Sequence, residues 1–368
     1  MTTQCLEINL QPSAVHSYRI YVGTGLLDGI GEQVAQLVRG RTACIISDTN
    51  VAPLYLARTR RSFEEAGFAV FESIVEAGEQ SKEVMVAQRL WEECASFGLA
   101  RDSVVVALGG GVVGDIAAFV ASTFMRGIAC VQIPTSLLSM VDSAVGGKTA
   151  INLQAGKNLA GTFHQPVLVL ADLDTLDTLP EQEWKNGLAE IAKSALIEGG
   201  DFTEWLIEYA DDLQKHGKAT VQRAIVRSLA FKGHVVANDE REAGLRECLN
   251  YGHTFAHALE AVAGYGVISH GMAVAEGMRF AARLGGEAAD VPEDFVAAQD
   301  ALLDALALHR IVDHYSVDEL FDRMCADKKV RDNTLRFVFV SSPGEWRTVA
   351  VDADLLKIYL LMWAQAHM

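Results

Sequence analysis

The sequence predicts an α/β N-terminal domain with a Rossmann-like parallel sheet, followed by a mostly α-helical C-terminal domain. Three observations carry that expectation. Short β-type runs alternate with amphipathic stretches up to Leu179-Pro180. A glycine turn, Gly109-Gly110-Gly111, follows directly on the apolar run Ser103 to Leu108. Beyond Pro180, apolar residues recur at helical spacing with few β-branched runs. Strands alternating with helices imply a parallel sheet covered on both faces.

Taken in order, Thr42 to Ser47 is a short strand ending in Asp48-Thr49-Asn50. Pro53 to Ala66 has helical spacing, and Phe68 to Val75 reads as the next strand. Ser81 to Phe97 is an amphipathic helix leading to the strand before the glycines. Ile128 to Ile133 is a strand stopped by Pro134, and Val167 to Leu170 one more. From Glu181 to Arg310 the pattern is helical. Arg336 to Val340 reads as a late strand and Leu355 to Ala366 as a closing helix. With no low-complexity tract, linker or repeat, the boundary is a change of pattern, which divides the chain into units 1–180 and 181–368.

Composition excludes some functions. A chain of 368 residues is long enough for two substantial cores, and a net charge of -17 argues against general binding of nucleic acid or an anionic membrane. The six cysteines (Cys5, Cys44, Cys94, Cys130, Cys248, Cys325) form no CxxC pair, which suits reduced thiols in a cytoplasmic protein. MTTQCLEINLQ has no basic region followed by an apolar core, so no signal peptide is expected. Val104 to Met125 is apolar, but Asp115 and the glycines interrupt it. A strand-turn-helix fits it better than a membrane span.

The stretch Gly109 to Pro166 carries Asp115, Arg126, Asp142, Lys148, Lys157 and Asn158 among small residues. Burying an unpaired charge costs several kcal/mol, so a packed core has no use for this set. It reads as a dinucleotide turn followed by an anion-gripping surface. Gly109, Gly111 and Gly114 fit G-x-G-x-x-G, a pattern that also serves any tight strand-to-helix turn. Here a strand precedes it and Asp115 opens an apolar helix, so backbone N–H groups and the helix dipole are set to meet a pyrophosphate. The acid that a Rossmann unit places about 20 residues later is missing around Cys130 to Ile133. Asp48 and Asn50, with Glu79 and Lys82 in GEQSK, are candidates to replace it.

Glu190 in LAEIAKSALI, His253 in NYGHTFAHALE and His270 in ISHGMA make a carboxylate and two imidazoles, a common catalytic zinc set with one open position. Their spacing is not a contiguous motif. His253 and His257, four apart on one helical face, are an alternative pair, and histidines satisfied by nearby carbonyls are the ordinary outcome. Lys148, Lys157, Lys193, Lys232, Arg246 and Lys328-Lys329 would each be unremarkable on a solvated surface. Yet Lys148 follows Gly-Gly, Lys193 is three residues after Glu190, and Arg246 precedes Asn250 by one turn. Gathered in one cleft, they would bind a phosphate and a carboxylate together.

GGGVVGD, Arg126-Gly127, IPTSLL, VDSAVGGKTA and GKNLAGTFHQP, then GLAEIAKSALI, DEREAGLRECLNYGHTFAHALE, SHGMAVAEGM and ADKK, carry a resemblance. In this order, from Asp48 to Lys329, the chain resembles the 3-dehydroquinate synthase family of sugar-phosphate cyclases. The resemblance implies a phosphate-eliminating carbon-oxygen lyase of the shikimate pathway. Its substrate would be 3-deoxy-D-arabino-heptulosonate 7-phosphate, oxidised transiently by NAD+, relieved of phosphate, re-reduced, ring-opened and closed by an aldol step. It assigns a divalent metal, zinc or its substitute cobalt, to Glu190, His253 and His270, leaving His257 to transfer protons. Lys148, Lys193, Lys232, Glu242, Arg246 and Asn250 are its other catalytic positions. Substrate binding falls to Asp142, Lys148, Asn158, Lys232, Arg246, Asn250 and Lys328. Arg126 reaches the site of a neighbouring subunit, so the chain is expected to be a homodimer.

For the nucleotide, the resemblance implies Asp48, Asn50, Glu79 and Lys82 at two strand ends, and Gly110, Gly111, Val112 and Asp115 at the glycine turn. Thr135, Ser136, Asp142, Lys157, Thr175 and Thr178 complete that set. The chain departs from the family pattern at Ser194, Ala195, Ala256 and Met272, none of them a proposed ligand. Three other readings compete. A metal-dependent polyol dehydrogenase would not need the lysine and arginine set, and a nonenzymatic nucleotide-binding regulator would not need every catalytic residue. Another cyclase, making 2-deoxy-scyllo-inosose or an epi-valiolone, fits Gly114-Asp115 and DSAVGGKTA less well.

Overall fold

The structure is a computed structural model that describes residues 17–264, 266–311, 313–326 and 335–366. Its N-terminal part carries the strands β1 (Arg19–Gly23), β2 (Thr42–Asp48), β3 (Ala69–Val75), β4 (Val104–Gly109) and β5 (Ala129–Pro134). An antiparallel hairpin of β6 (Lys148–Leu153) and β7 (Gly156–Phe163) precedes β8 (Leu168–Asp172). All but the hairpin form one parallel sheet in the order β1-β8-β5-β4-β2-β3. Helices α1 (Ile30–Ala35), α2 (Ala57–Glu65), α3 (Val84–Ser96) and α4 (Gly111–Thr123) supply the crossovers.

The central strands are apolar throughout because both of their faces are covered. Ala43, Ile45, Val104 and Val106 join Ile30, Val34 and Phe63 on one face. Cys44, Ile46, Val105 and Ala107 join Leu90, Cys94 and Ile116 on the other. After β2 the chain turns to β3 on one side, and after β4 it turns to β5 on the other. The crevice beyond the carboxyl ends of β2 and β4 is therefore the topological switch point, where open α/β sheets bind ligands. Asp48 ends β2 and Gly109 ends β4.

The glycine turn differs from expectation in one respect. Helix α4 begins at Gly111, so Asp115 lies in its second turn and does not open it. A side chain at Gly109 would meet Val113 at 2.7 Å, which accounts for the tightness of the turn. No side chain caps α4 at Gly110, so the N–H groups of its first turn are open to an anion.

The helical part runs through α5 (Glu181–Glu198), α6 (Phe202–Glu208), α7 (Ala210–Gln214), α8 (Lys218–Asn238), α9 (His253–Ala263), α10 (His270–Ala289), α11 (Glu293–Ala305) and α12 (Val317–Ala326). It closes with an antiparallel pair, β9 (Leu335–Ser342) and β10 (Glu345–Val351), and α13 (Ala353–Ala366). Every residue of α5 from Asn186 to Ile197 is buried, as befits a helix enclosed on all sides. Its core continues into Leu137, Met140, Ala171 and Leu173 of the sheet half.

The expected strands and the closing helix are present. The sequence gives no warning of β1, β6, β7 or β10. Cys5, the N-terminal segment and Lys328-Lys329 lie outside the described residues.

Candidate active site

Two charges interrupt the enclosed stretch of α5, Glu190 and Lys193, and they pair with each other. Two helix starts aim histidines at them. Gly252, in a left-handed conformation, turns the chain so that His253 begins α9, and His270 begins α10. Ligand atoms of Glu190, His253 and His270 all lie within 4.8 Å of one another. Nε2 of His253 is 3.6 Å from Oε1 of Glu190, and Nε2 of His270 is 3.7 Å from it. A tetrahedral ion with bonds of about 2.0–2.1 Å separates its ligand atoms by roughly 3.3 Å, close to the two carboxylate–imidazole distances.

The donor chemistry fits a divalent cation. The Nδ1 atoms face away from the triad, His253 toward the Tyr251 carbonyl at 3.1 Å and His270 toward Oε2 of Glu260 at 3.4 Å. Such contacts fix the tautomer that presents Nε2. Both Glu190 oxygens are buried and accept no well-formed hydrogen bond, despite the Lys193 ammonium beside them. Burial opposes a charge on His270, but the Glu190 and Glu260 carboxylates outweigh it and hold the imidazolium up to about 10. The pocket calls for positive charge there. His257 stands outside the triad, its ring 5.4 Å from that of His253 and 6.4 Å from that of His270. The alternative pairing of His253 with His257 is therefore not the one the fold gathers.

Beside this triad lie the cationic residues. Lys232 of α8 donates to Oδ1 of Asp142 at 2.6 Å, across the two halves of the chain. Burial would raise the Asp142 carboxyl, but Lys232 and Lys193 hold it well below the usual range. Lys148 of β6 pairs with Glu242, whose other oxygen accepts from Asn250 Nδ2 at 2.6 Å. Burial pushes the Glu242 carboxyl up, yet Lys148 and Asn250 bring it below its ordinary value. Arg246 is buried, with Nη1 donating to the carbonyls of Glu240 at 2.6 Å and Gly146 at 3.2 Å, and its Nε has no partner. Desolvation of Arg246 lowers its pKa against the pull of Glu242 and Asp142.

The nucleotide candidates line the carboxyl edge of the sheet. Asp48 caps its own turn through the N–H groups of Asn50 and Val51. Lys82 donates to Asp115 and to Asn158, each at 2.6 Å, and lies 3.6 Å from Glu79. Gly111 would bring a side chain within 3.1 Å of Ser143 Oγ, and Gly110 one within 3.5 Å of Ser136 Oγ. Val112 lies in the first turn of α4. The Thr135 N–H returns to Gly109, while Thr175 and Thr178 meet the Tyr55 hydroxyl after β8. Lys157 stands 3.8 Å from Glu260.

Not every expected residue joins its expected group. Asn158 bonds Lys82 of the nucleotide set, away from Lys148 and Arg246. Arg126, exposed in a turn with φ 70, makes no ion pair with these residues among those described. Sequence reasoning missed Glu260, Asn152, Asn186 and Ser143. Asn152 donates to Glu79 at 2.7 Å, and Asn186 accepts the Gly271 N–H at 2.8 Å, anchoring α10 beside His270. Only Glu260 had a signal, three residues after His257 and seven after His253, on one face of α9.

Residues 72–186 match the family model described as 3-dehydroquinate synthase N-terminal, and residues 187–330 the one described as 3-dehydroquinate synthase C-terminal. The chain belongs to the 3-dehydroquinate synthase family. A 3-dehydroquinate synthase of Geotalea uraniireducens is 40% identical over 342 residues, covering 93% of this chain and 95% of that protein. Another, of Desulforamulus reducens, is 42% identical over 351 residues, covering 93% and 96%. Among solved structures, a 2-deoxy-scyllo-inosose synthase complexed with carbaglucose-6-phosphate, NAD+ and Co2+ superposes with a TM-score of 0.88. It is 26% identical, over 94% of this chain and 97% of that one. A probable glycerol dehydrogenase from Sinorhizobium meliloti, 16% identical, covers 95% of this chain and 97% of its own with a TM-score of 0.63, and shares the fold alone.

Proposed function

We propose that the chain converts 3-deoxy-D-arabino-heptulosonate 7-phosphate to 3-dehydroquinate and phosphate, as a phosphate-eliminating carbon-oxygen lyase. The observation that carries this reading is the meeting of a metal-ligand triad with a cationic set drawn from both halves of the chain, in a protein matching the family almost end to end. A polyol dehydrogenase needs the triad but has no use for the anion clamp.

The cofactors are NAD+ and one divalent ion, zinc or its substitute cobalt, in keeping with the NAD+ and Co2+ of the inosose synthase. When bound, they supply reversible oxidation of a secondary alcohol and Lewis-acid polarisation of its oxygen. Glu190, His253 and His270 would hold the ion. Asp48, Asn50, Glu79, Lys82, the glycine turn and Thr135-Ser136, with Lys157, Thr175 and Thr178, would hold the nucleotide at the switch-point crevice.

The chain's own residues then bind, orient and move protons. Lys148, Arg246, Lys232 and Asn250 grip the phosphate and carboxylate of the substrate, Glu242 orients Lys148 and Asn250, and Asp142 orients Lys232. Lys193 balances Glu190, and His257, beside the triad, carries a proton to or from the substrate. A substrate held by residues of both halves (units 1–180 and 181–368) draws them together and excludes water from a reactive intermediate.

The same reading makes the protein a homodimer in which Arg126 serves the neighbouring site, and places it in the cytoplasm. The five cysteines among the described residues are free, and no helix among them is long and apolar enough to cross a membrane. The test is an assay of the purified protein with NAD+, metal and a panel of sugar phosphates that includes glucose 6-phosphate. Phosphate release and a carbocyclic product from the heptulosonate alone support the reading, and turnover of glucose 6-phosphate in its place would overturn it.

A further inference from the structure

Glu260 is a buried carboxylate that the mechanism above does not use. It lies on α9 two helical turns after His253 and three residues after His257. Its two oxygens have different partners. Oε2 is 3.4 Å from Nδ1 of His270, and Oε1 is 3.8 Å from the ammonium of Lys157, which belongs to β7 of the sheet half.

His270 is the first residue of α10, where no side chain caps the helix at Ser269. A ring nitrogen takes a metal ion only through a free lone pair, so the ring that holds an ion is the neutral imidazole. A neutral imidazole has two tautomers, and only the one protonated on Nδ1 leaves Nε2 to face Glu190. A carboxylate acceptor at Nδ1 selects that tautomer and aims the ring. His253 obtains the same service from the fixed Tyr251 carbonyl, which cannot move without its backbone. Glu260 is a side chain, and its position depends on what holds its second oxygen.

We propose that Glu260 is a positioning residue for His270, and that its contact with Lys157 ties the orientation of a metal ligand in the helical half to the β6–β7 hairpin of the sheet half. The inference rests on the triad's being a metal site. It goes further in making the grip on the ion depend on where the hairpin sits. Asn158, next to Lys157, is bonded to Lys82 of the nucleotide network, so the residue that holds Glu260 is adjacent in sequence to one that senses the nucleotide crevice. Occupancy of that crevice then reaches the metal through one strand, Lys157 and one carboxylate.

The experiment uses Co2+ as the probe, in the full chain with no NAD+ or substrate, reading affinity by competition with a chelator and ligand geometry by visible absorption. Loss of the partner that orients a metal-bound histidine typically weakens binding by about 10–100-fold. Glu260→Ala is expected to fall in that range with an altered cobalt spectrum. Glu260→Gln, which keeps an acceptor of the same size, is expected to recover part of the affinity and most of the spectrum. Lys157→Met should weaken binding less, with a spectral shift in the same sense. Wild-type affinity and spectrum in Glu260→Ala, or in Glu260→Gln if the alanine variant does not fold, would overturn the proposal while leaving the metal site intact. If the unaltered protein binds no Co2+, the metal reading itself fails and this proposal falls with it.

Discussion

Lys232 and Asp142 sit 2.6 Å apart although 90 residues separate them, one on α8 and the other in the turn before the hairpin. The pair joins the helical half to the sheet half at the floor of the site. A ligand bound beside this pair would be within reach of side chains from both halves.

Replacing Asp142 with Asn should destabilise the protein by about 2 kcal/mol at neutral pH. That value lies between the small worth of exposed pairs and the larger cost of leaving a buried charge uncompensated. The Asp142 carboxyl is held below its ordinary range, so its stabilising contribution is complete above the unfolded value of about 3.9 and fades as pH falls through the folded one. Denaturant titrations should show a gap between the two proteins that is constant from neutrality down to about pH 5 and narrows below about pH 4. A gap that widened in acid would contradict the assignment.

Lys148 and Arg246 should separate stability from binding. The Lys148 side chain is 50% exposed, so Lys148→Ala should alter stability by no more than about 0.5 kcal/mol, whereas Arg246→Ala removes a buried guanidinium and should cost more. Both should weaken phosphate-substrate binding at least about tenfold, the loss of one charge-assisted contact, and leave NAD+ affinity alone. Calorimetric titration of each ligand checks both halves of the expectation.

Gly146→Ala tests the placement of Arg246 without touching its charge. Gly146 has φ +98, and a side chain there would come within 2.5 Å of the Arg246 guanidinium. The substitution should displace Arg246 and reduce phosphate-substrate affinity about as much as Arg246→Ala does, while Co2+ binding persists. Unchanged substrate affinity in a folded variant would place the phosphate elsewhere.

The cysteines should differ sharply in reactivity. Cys44, Cys94, Cys130 and Cys248 are buried, and burial pushes the thiols of Cys130 and Cys248 up to about 12 and about 11. Only exposed Cys325, among the described residues, should react with iodoacetamide in the native state, as mass spectrometry of the labelled peptides would show. Labelling of Cys130 before unfolding would contradict the burial of β5.

The parts legible in the sequence were those where one local pattern decided the outcome. β2, β3, β4, β5 and β8 are apolar runs bounded by turn residues, and in α5 apolar residues recur at helical spacing around Glu190 and Lys193. β6 and β7 stayed hidden because their alternation is broken by the polar and charged residues Lys148, Lys157 and Asn158. β1 is a short edge strand with polar and half-exposed positions, and β10 lies against a single partner. Within the site, the motifs named Glu190, His253 and His270, but spacing alone left His257 a rival of His270. The starts of α9 and α10 decided between them. The bond from Lys82 to Asn158 was not legible, because 76 residues separate the two in sequence. Glu260 was missed because its role depends on where α10 begins.

The central claim, that the chain uses NAD+ as a returning oxidant in a phosphate-eliminating cyclisation, is tested most directly by stoichiometry. Phosphate release and NADH absorbance are followed together in one reaction with the heptulosonate phosphate, metal and a small excess of NAD+ over enzyme. The account predicts many phosphates released per NAD+ present, dependence of the rate on NAD+, and no steady build-up of NADH. NADH accumulating in step with substrate consumption, without phosphate release, would contradict it and identify a dehydrogenase.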